Sequence, residues 1–498
     1  MQDTPRLEIS MVRFARLTKH LWSALLCAGV LLLTFGYGQA QTFRGGIAGV
    51  VTDNNGAALP ATTVKITSKA TAAVRTAETG KDGDFLVPEL SLGFYIIEIA
   101  KAGFQPLRIN DVEVTVSKVT SVELQLNVAQ LTEVVEVSAS SVVRLDTASS
   151  ALTGIVAPKQ VQDLPLNGRD FRQMIQLTPG VTISGSINGS RTRGNNYQID
   201  GADNNDAFQN ASAVNQGGVS GIAGTLLPIE AIDQFSVQSG ASAETGRNSG
   251  GAINLVIKSG SNDLHGSAYY FNRNEYFAAR SPVAPQGTRT PKIRNNQYGF
   301  SLGGPIFKNR TFYFVNFEGQ RAKAANALRT TALSDAWVDR GKAILTQFNV
   351  PLNPVSINLL TLYPSYIKGL PATVNNFVST DENDYISDNA IIKLDHKFSE
   401  RHDISARYFG GTGDQTAYDG GSFFRPYFQV APSRMHNYSV VQNSVLTPKL
   451  LNQIVVGVNY FKQTFDIVDI SGNPVALGLN TGSGVTGAPT INISGFSL

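Results

Sequence analysis

Few residues in this sequence have the types and spacing that enzyme chemistry requires. Its five histidines form no HExxH motif. They are His20, His265, His396, His402 and His436. The single cysteine, Cys27, excludes both a CxxC pair and an intrachain disulfide. No Walker-type phosphate loop and no GxSxG nucleophile elbow occurs. We therefore predict that the protein is not an enzyme and has neither a metal site nor another cofactor.

Two groups of residues could bind a metal ion, and a simpler explanation is preferred for each. Asp200, Asp203 and Asp206 lack the alternating order and the distal glutamate of a calcium loop, so we expect a turn rich in Asx side chains. His396 and His402 flank a predicted hairpin turn and could approach each other. Without a cysteine or carboxylate partner, they are predicted to be polar surface residues.

Composition limits the class of protein. A chain of 498 residues is too long for one ordinary core, so several domains are expected. The formal net charge is +3 and charged residues make up 16%, against about 25% in soluble domains. No basic block follows the N-terminal leader, which makes nucleic acid an unfavoured partner.

The N-terminus has the pattern of an export signal. Arg6, Arg13, Arg16 and Lys19 precede an apolar run at residues 21–35, and Gly-Gln-Ala at 38–40 provides a small-x-small cleavage site. The alternative is a membrane-spanning helix, but the run is shorter than the ~20 apolar residues that a span needs. Residues 1–40 are predicted to be a cleaved signal peptide.

Residues 42–128 predict a small β-sandwich. Short β-prone runs at 47–52, 63–67, 85–87, 95–99, 112–116 and 122–126 are separated by turns such as Asp-Asn-Asn-Gly at 53–56. The order Gly-x-Val-x-Asp, Leu-Pro-Ala, Asp-Gly-x-Phe and Gly-x-Tyr resembles the carboxypeptidase regulatory-like domain. That name concerns a fold, because the segment contains no histidine for a peptidase-type zinc site.

The stretch 229–259 predicts a strand, a glycine-rich turn and a second strand. Its ordered residues resemble the end of the plug domain of TonB-dependent outer-membrane receptors. They are Ile229, Glu230, Ile232, Phe235, Val237, Gly240, Ala243, Gly246, Gly250, Gly251, Ile253, Asn254, Val256 and Lys258. The resemblance extends from about Phe43 to the C-terminus.

The motifs LPLNGRDF at 164–171, TPGV at 178–181 and NNYQIDG at 195–201 resemble the plug of the Oar-like subgroup of these receptors. A helix is expected to begin near Val161 and to continue to Leu177, where Pro179 and Gly180 end it. A plug domain is thus expected over residues 141–259. The plug motif residues are Asn167, Gly168, Arg169, Asp200, Gly201, Gly246, Gly250 and Gly251.

Residues 260–498 predict antiparallel membrane-spanning strands. Candidates lie at 265–277, 297–306, 311–318, 389–398, 403–409, 436–446 and 451–465. In one of them Ile404, Ala406 and Tyr408 alternate with polar residues, which is typical of a transmembrane β-barrel. The turn 399–402 is expected on the periplasmic side, and 321–388 and 410–434 are expected to be extracellular loops. A soluble sandwich also alternates, so the barrel interpretation depends on the resemblance and its domain order.

The linker 129–140 contains a segment that resembles the TonB box, through which such receptors bind their periplasmic energy-transducing partner by strand addition. Its residues are Leu131, Thr132, Glu133, Val134, Val135, Glu136 and Val137. We call this the partner-binding segment. The alternatives are that it is the last strand of the sandwich or an ordinary linker.

Seven candidate strands are too few to enclose a plug of this size, since plugged barrels have ~22 strands. The sequence also ends in a Gly/Thr/Ser-rich run without a terminal aromatic strand, so we expect it to be C-terminally truncated. The predicted fold class is mainly β: an N-terminal β-sandwich, an α+β plug domain and a partial antiparallel transmembrane β-barrel.

The resemblance implies an outer-membrane TonB-dependent receptor or transporter. Its partners would be a TonB-type energy-transducing protein, outer-membrane lipid and an extracellular ligand of unknown identity. The sequence leaves two alternatives open: an outer-membrane adhesion protein without active transport, and a secreted multi-domain β-protein.

Overall fold

The computed structural model describes residues 44–128, 135–138, 143–144, 152–156, 158–164, 166–207, 209–215, 224–239, 250–279, 292–325, 328–363, 365–379, 381–420, 422–447, 450–480, 486–489, 491 and 493–496. The predicted signal peptide, residues 131–134 and Gly246 therefore lie outside the described residues. The mainly β fold class is confirmed.

The N-terminal domain is a sandwich of two sheets. One has the order β4-β1-β7-β9 and the other β3-β2-β5-β6-β8. Alternate residues on these strands are buried, and Ile47, Ile66, Ile97 and Leu124 are among the core residues that face each other between the sheets. The strands are β1 Gly45–Asp53, β2 Thr63–Ser68, β3 Val74–Glu78, β4 Asp84–Leu90, β5 Gly93–Ala100, β6 Leu107–Val114 and β7 Val119–Leu126. The six predicted strands are present, and β3 is an additional one.

The chain that follows the sandwich contributes one strand to each of its sheets. β8, Val135–Ser138, pairs in parallel with β6, with Leu107 opposite Val135 and Asn110 opposite Ser138. β9, Val143–Arg144, pairs antiparallel with β7. The connection between the sandwich and the next domain is therefore held against both sheets.

The second domain is an α+β module with a five-stranded sheet of order β10-β13-β14-β11-β12. The predicted hairpin at 229–259 forms its centre as β13 and β14, which pair antiparallel and are almost wholly buried. The elements are β10 Leu152–Val156, α1 Pro158–Asp163, α2 Arg172–Ile175, β11 Asn196–Ile199, β12 Ala202–Asp203, β13 Ile232–Ser239 and β14 Ala252–Ile257. Phe171, Met174 and Phe235 are fully buried in its core.

The continuous helix expected from Val161 to Leu177 is wrong. The chain forms α1, a 3₁₀ turn at Asn167–Arg169 and α2 in its place. Gly168 and Arg169 have φ values of 73° and 55°, which lie in the left-handed region and cannot continue a right-handed helix. The LNGR motif is thus a turn that projects from the domain.

The third region is a nine-stranded sheet in which every pairing is antiparallel. Its long strands are β15 His265–Asn274, β16 Ile293–Phe307, β17 Thr311–Ala325, β20 Glu382–Ser399, β21 His402–Ala417, β23 Ser433–Thr447 and β24 Leu450–Gln463. All seven predicted strands are present. Three of them, β17, β20 and β21, extend several residues into the stretches that we assigned to loops, because paired strands also continue beyond the apolar band. Among the described residues, β15 and β24 do not pair with each other, so the sheet is open there.

A small subdomain lies between β17 and β20. It comprises β18 Leu328–Thr330, α3 Asp335–Gln347, α4 Pro354–Leu359 and β19 Phe377–Ser379. Ala332 and Ile367 of this subdomain form a core with Phe424, which follows β21 in the chain. The short strands β22 Gln429–Val430 and β25 Asp466–Ile467 extend the main sheet at the same end. Among the described residues, no helix is both long enough and apolar enough to cross a bilayer.

Candidate functional site

The two faces of the long strands differ in what they contact. On β21, Ser405, Arg407 and Phe409 are buried against the second domain, whereas the residues between them face away from it. On β24, Ile454, Val456 and Val458 are 51–59% exposed on the outer face. The predicted alternation is therefore present, with polar residues on the inner face and an apolar band on the outer face.

One buried charge cluster joins the second domain to the inner face of the sheet. Asp200 lies between Arg407 and Lys393, at 2.8 Å from Arg407 Nε and 3.4 Å from Lys393 Nζ. The two cations are on the adjacent strands β20 and β21. All three side chains are at most 6% exposed, so water screens this cluster very little. We call it the Asp200 anchor.

The local backbone explains why Asp200 reaches the sheet. Asp200 and Gly201 have φ values of 49° and 76°, and this turn reverses the chain between β11 and β12. Asp200 Oδ1 also accepts the Ile257 N–H at 3.1 Å, and Lys393 Nζ donates to the Ile257 carbonyl oxygen at 2.8 Å. The end of β14 is therefore held by the same cluster.

The predicted Asx turn is correct for two of the three aspartates. Asp203 Oδ1 accepts the Asn205 N–H, and the Asp206 carboxylate accepts the N–H groups of Gln209 and Ala211. Asp200 does not belong to that turn network, because its carboxylate is directed to β14 and to the two cations of the sheet.

A second cluster joins the LNGR turn to another part of the sheet. The Gly168 carbonyl oxygen accepts a hydrogen bond from Gln297 Nε2 at 3.1 Å, and Arg169 forms a 3.0 Å ion pair with Glu230. The Arg169 guanidinium also lies 4.0 Å from the centre of the Phe271 ring on β15, a cation–π geometry. Gly168 and Arg169 thus contact the sheet, with Arg169 neutralised by a carboxylate of its own domain.

Two of the predicted plug glycines, Gly250 and Gly251, occupy positions without space for a side chain, whereas Gly168 has open space and a φ of 73°. A Cβ at Gly250 would overlap the Gly194 carbonyl group, and a Cβ at Gly251 would overlap Ile187. A similar close approach joins the domain to the sheet, where a Cβ at Gly413 would overlap the Gly224 carbonyl oxygen. Asn167 lies in the LNGR turn, and Gly246 is outside the described residues.

The sandwich contacts the end of the sheet at which β20 and β21 are joined by a tight turn. Asp403 forms ion pairs with Arg44 at 3.0 Å and with Arg75 at 3.2 Å. Gln453, on β24, donates to Glu89 at 2.8 Å. A cavity of about 500 Å³ lies at this junction, and all three regions line it.

Burial perturbs two further groups near this cavity. It raises the pKa of the Asp233 carboxyl above its ordinary value, although Lys258 and Lys393 act in the opposite direction. Burial also lowers the pKa of Lys258, while Glu230 and Asp233 oppose that shift. The second domain therefore carries perturbed ionisable groups where it leads into the sheet.

The histidines that flank the β20–β21 turn are not brought together. His396 Nδ1 is 2.8 Å from Thr311 Oγ1, and His402 Nδ1 is 3.0 Å from Ser444 Oγ. Each therefore has its own hydroxyl partner on a neighbouring strand. Within the described ranges, no group of three or more His, Cys, Asp or Glu residues could hold a metal ion.

Sequence reasoning missed the residues of the sheet that hold the second domain and the sandwich. These are Lys393 and Arg407 in the Asp200 anchor, Gln297 and Phe271 beside the LNGR turn, and Asp403 at the sandwich. The sequence signal that could have identified two of them is the alternation of inward-facing and outward-facing residues along the strands. Lys393 and Arg407 are charged residues at inward positions of two adjacent strands, and such residues need a buried partner.

A buried module seated on the polar inner face of antiparallel strands, whose outer face is apolar, is the architecture of a plugged outer-membrane β-barrel. Comparisons with known proteins agree. The outer membrane beta barrel domain family matches residues 256–498, and the carboxypeptidase regulatory-like domain family matches residues 46–127.

The TonB-dependent transporter Oar of Myxococcus xanthus is 27% identical over 330 residues, which is 61% of this chain and 29% of that protein. The probable TonB-dependent siderophore receptor PirA of Acinetobacter baumannii is 26% identical over 175 residues, 32% of this chain and 21% of that protein. The siderophore receptor PirA of Pseudomonas aeruginosa is a structural neighbour with a TM-score of 0.38 at 13% identity, covering 63% of this chain and 41% of that one.

The chain is therefore a homologue of the TonB-dependent transporter Oar, and it contains a carboxypeptidase regulatory-like domain and an outer membrane β-barrel domain. It spans less than a third of the length of the curated relatives that it matches.

Proposed function

We propose that the protein is an outer-membrane receptor that transports an extracellular ligand and is energised by a TonB-type partner in the periplasm. The second domain acts as the plug, the long strands form part of the barrel wall, and residues 1–40 direct export and are removed. The energy for transport is supplied by the partner in this proposal, because the given sequence has no nucleotide-binding loop.

The observation that carries this proposal is the way in which the plug is seated. Its contacts with the wall include the buried charges of the Asp200 anchor, the polar contacts of the LNGR turn and the close approach of Gly413 to Gly224. They also include apolar contacts with Phe314, Ile391, Phe409 and Met435 of the wall. When the polar part of this interface separates, water can solvate the exposed charged and hydrogen-bonding groups, which it cannot do for apolar surface. This mode of attachment supports the proposal that a pulling force displaces the plug and opens the barrel.

The partner-binding segment lies between the sandwich and the plug, where a pull acts on both. Val135–Ser138 is already an edge strand of the sandwich, with one edge paired to β6. Its other edge is the edge of the sheet, and an added strand from a partner would extend the sheet there. The sandwich-strand alternative and the partner-binding interpretation are therefore compatible.

Binding of the partner tests this proposal without knowledge of the ligand. The probe is the purified periplasmic domain of the host's energy-transducing protein, titrated onto the receptor in detergent. Deletion of residues 131–137 is expected to abolish binding. Val135→Pro should also weaken it, because proline interrupts strand pairing.

Ser141→Pro is the matched control, since it places the same residue just beyond the segment. Unchanged binding after the deletion would exclude the segment as the contact. Absence of any binding by the unaltered receptor would favour the adhesion alternative. Iron–siderophore complexes are the first ligands to test for uptake, because two of the relatives are named as siderophore receptors.

A further inference from the structure

The turn between β6 and β7 of the sandwich contacts the centre of the plug. The Val116 N–H donates to Gln234 Oε1 at 3.1 Å. Ser117 Oγ lies 3.3 Å from Ser236 Oγ and accepts a hydrogen bond from Asn254 Nδ2 at 3.2 Å. We call these five residues the sandwich–plug contact.

This contact is built into the core of the plug. Gln234, Ser236 and Asn254 belong to β13 and β14, the strands of the central hairpin. They are at most 3% exposed, although their side chains are polar. Ser236 and Asn254 are directly opposite each other on β13 and β14, so the Ser117 hydroxyl bridges a cross-strand pair. Buried polar side chains require partners, and here the sandwich supplies them.

The other end of the same sandwich strand holds the partner-binding segment. β6 pairs with β8 over Leu107 to Asn110 and then continues to Val114, directly before the turn. Four residues of β6 are buried in the sandwich core, so the strand is fixed along its length. They are Leu107, Ile109, Val112 and Val114. A short, rigid route therefore connects the segment to the plug.

The route along the covalent chain from the partner-binding segment to the plug is longer than the route through β6. Thirteen residues separate Ser138 from Leu152, the first plug strand residue, and β9 within them is paired to the sandwich. Thirteen residues can extend to about 45 Å. A pull along the chain must therefore separate β8 and β9 from the sandwich before the linker becomes taut.

We propose that the sandwich transmits force from the partner-binding segment to the plug through β6 and the sandwich–plug contact. A pull on the segment then acts first on β13 and β14, the centre of the plug sheet, before it reaches β10 along the chain. This inference depends on the proposed function only for the identity of the protein that pulls.

Single-molecule pulling tests the route without ligand or partner. The protein from Gln41 onward, which contains no cysteine of its own, is held in a lipid bilayer and pulled at constant force through a handle at Gln130→Cys. The measured quantity is the lifetime before the first extension of the plug. Ser117→Gly with Gln234→Met removes the three hydrogen bonds of the contact, and the lifetime should fall about 150-fold, the factor expected for three hydrogen bonds of ordinary net strength.

Ala61→Gly is the matched control. Ala61 is an exposed residue of the same domain with φ 51°, close to the 53° of Ser117, and its replacement should leave the lifetime unchanged. A second variant, Ser117→Cys with Ser236→Cys, places a disulfide across the contact. When oxidised it should lengthen the lifetime relative to its reduced form.

Two results would overturn the proposal. One is a first extension that matches release of the 13-residue linker in every variant. The other is a lifetime that neither the contact-removing pair nor the disulfide changes. Because the partner is absent from this experiment, its failure leaves the partner-binding test of the proposed function unaffected.

Discussion

The Asp200 anchor gives the sharpest prediction about how the plug is held. Asn is the substitution of choice, because it tolerates the left-handed backbone of Asp200 (φ 49°) and retains an acceptor for the Ile257 N–H. Asp200→Asn therefore removes the charge and leaves the turn intact. Arg407 and Lys393 remain buried on the wall without their carboxylate.

The size of the effect of Asp200→Asn follows from the burial of the two cations that it leaves unpaired. Removal of one partner from a buried ion pair costs about 3–5 kcal/mol, because the charge left behind is desolvated and unpaired. The free energy of opening of the plug should fall by this amount. Since about 1.4 kcal/mol is tenfold, amide exchange of β14 should accelerate by about 10²- to 10⁴-fold where local opening governs it.

The assay is hydrogen exchange with mass spectrometry on the receptor in outer-membrane vesicles, read at the peptide that contains Ile257. Lys393→Met is the comparison variant: it removes the hydrogen bond to the Ile257 carbonyl oxygen but leaves the 2.8 Å pair between Asp200 and Arg407 in place, so that no buried charge loses its partner. It should accelerate exchange much less than Asp200→Asn. Equal effects of the two substitutions, or less than about fivefold acceleration by Asp200→Asn, would refute the assignment of Asp200 as a charge anchor.

Three further outcomes are expected. Gly413→Ala should loosen the plug by about 1–3 kcal/mol through overlap with the Gly224 carbonyl group, seen as faster exchange at residues 224–227, whereas Gly369→Ala, at a site with open space, should have no effect. Burial raises the folded-state pKa of Asp233, so its protonated form stabilises the fold below the unfolded pKa of about 3.9 and this contribution is lost as pH rises through the folded pKa. Asp233→Asn should therefore raise the denaturant midpoint of the plug at pH 7 and lose that advantage near pH 3; a gain that is the same at both values would contradict burial of the carboxyl as its cause. Asp403→Asn should release the sandwich from the end of the sheet, because Arg44 and Arg75 lose their shared carboxylate, and limited proteolysis between sandwich and plug should become faster.

The elements of the fold were largely readable from the sequence. Period-two alternation with β-branched residues identified strands of the sandwich and of the long sheet, because strands such as β2 and β21 bury one face. Strand ends were less accurate. β20 begins at Glu382 and not at Asn389, since backbone pairing with β17 continues where the outer face has become polar.

The site was predictable only in part. The Asp-Gly pair at 200–201 and Gly180 marked turns of the plug, because such backbone conformations restrict the residue type. Which side chains of the wall those turns meet depends on contacts between residues far apart in sequence, as with Asp200 and Arg407. The expected helix failed for a related reason: Gly168 and Arg169 adopt the left-handed turn that presents the Gly168 carbonyl oxygen to Gln297.

The central claim is that the long strands separate lipid from the plug, and cysteine scanning along β21 tests it most directly. Single cysteines at residues 404–409, labelled with a fluorophore in outer membranes, are exposed in turn to a lipid-soluble and a water-soluble quencher. We predict lipid quenching at Ile404, Ala406 and Tyr408 and little quenching by either reagent at Ser405, Arg407 and Phe409, which face the plug. Quenching of all six positions by the water-soluble reagent alone would contradict the claim.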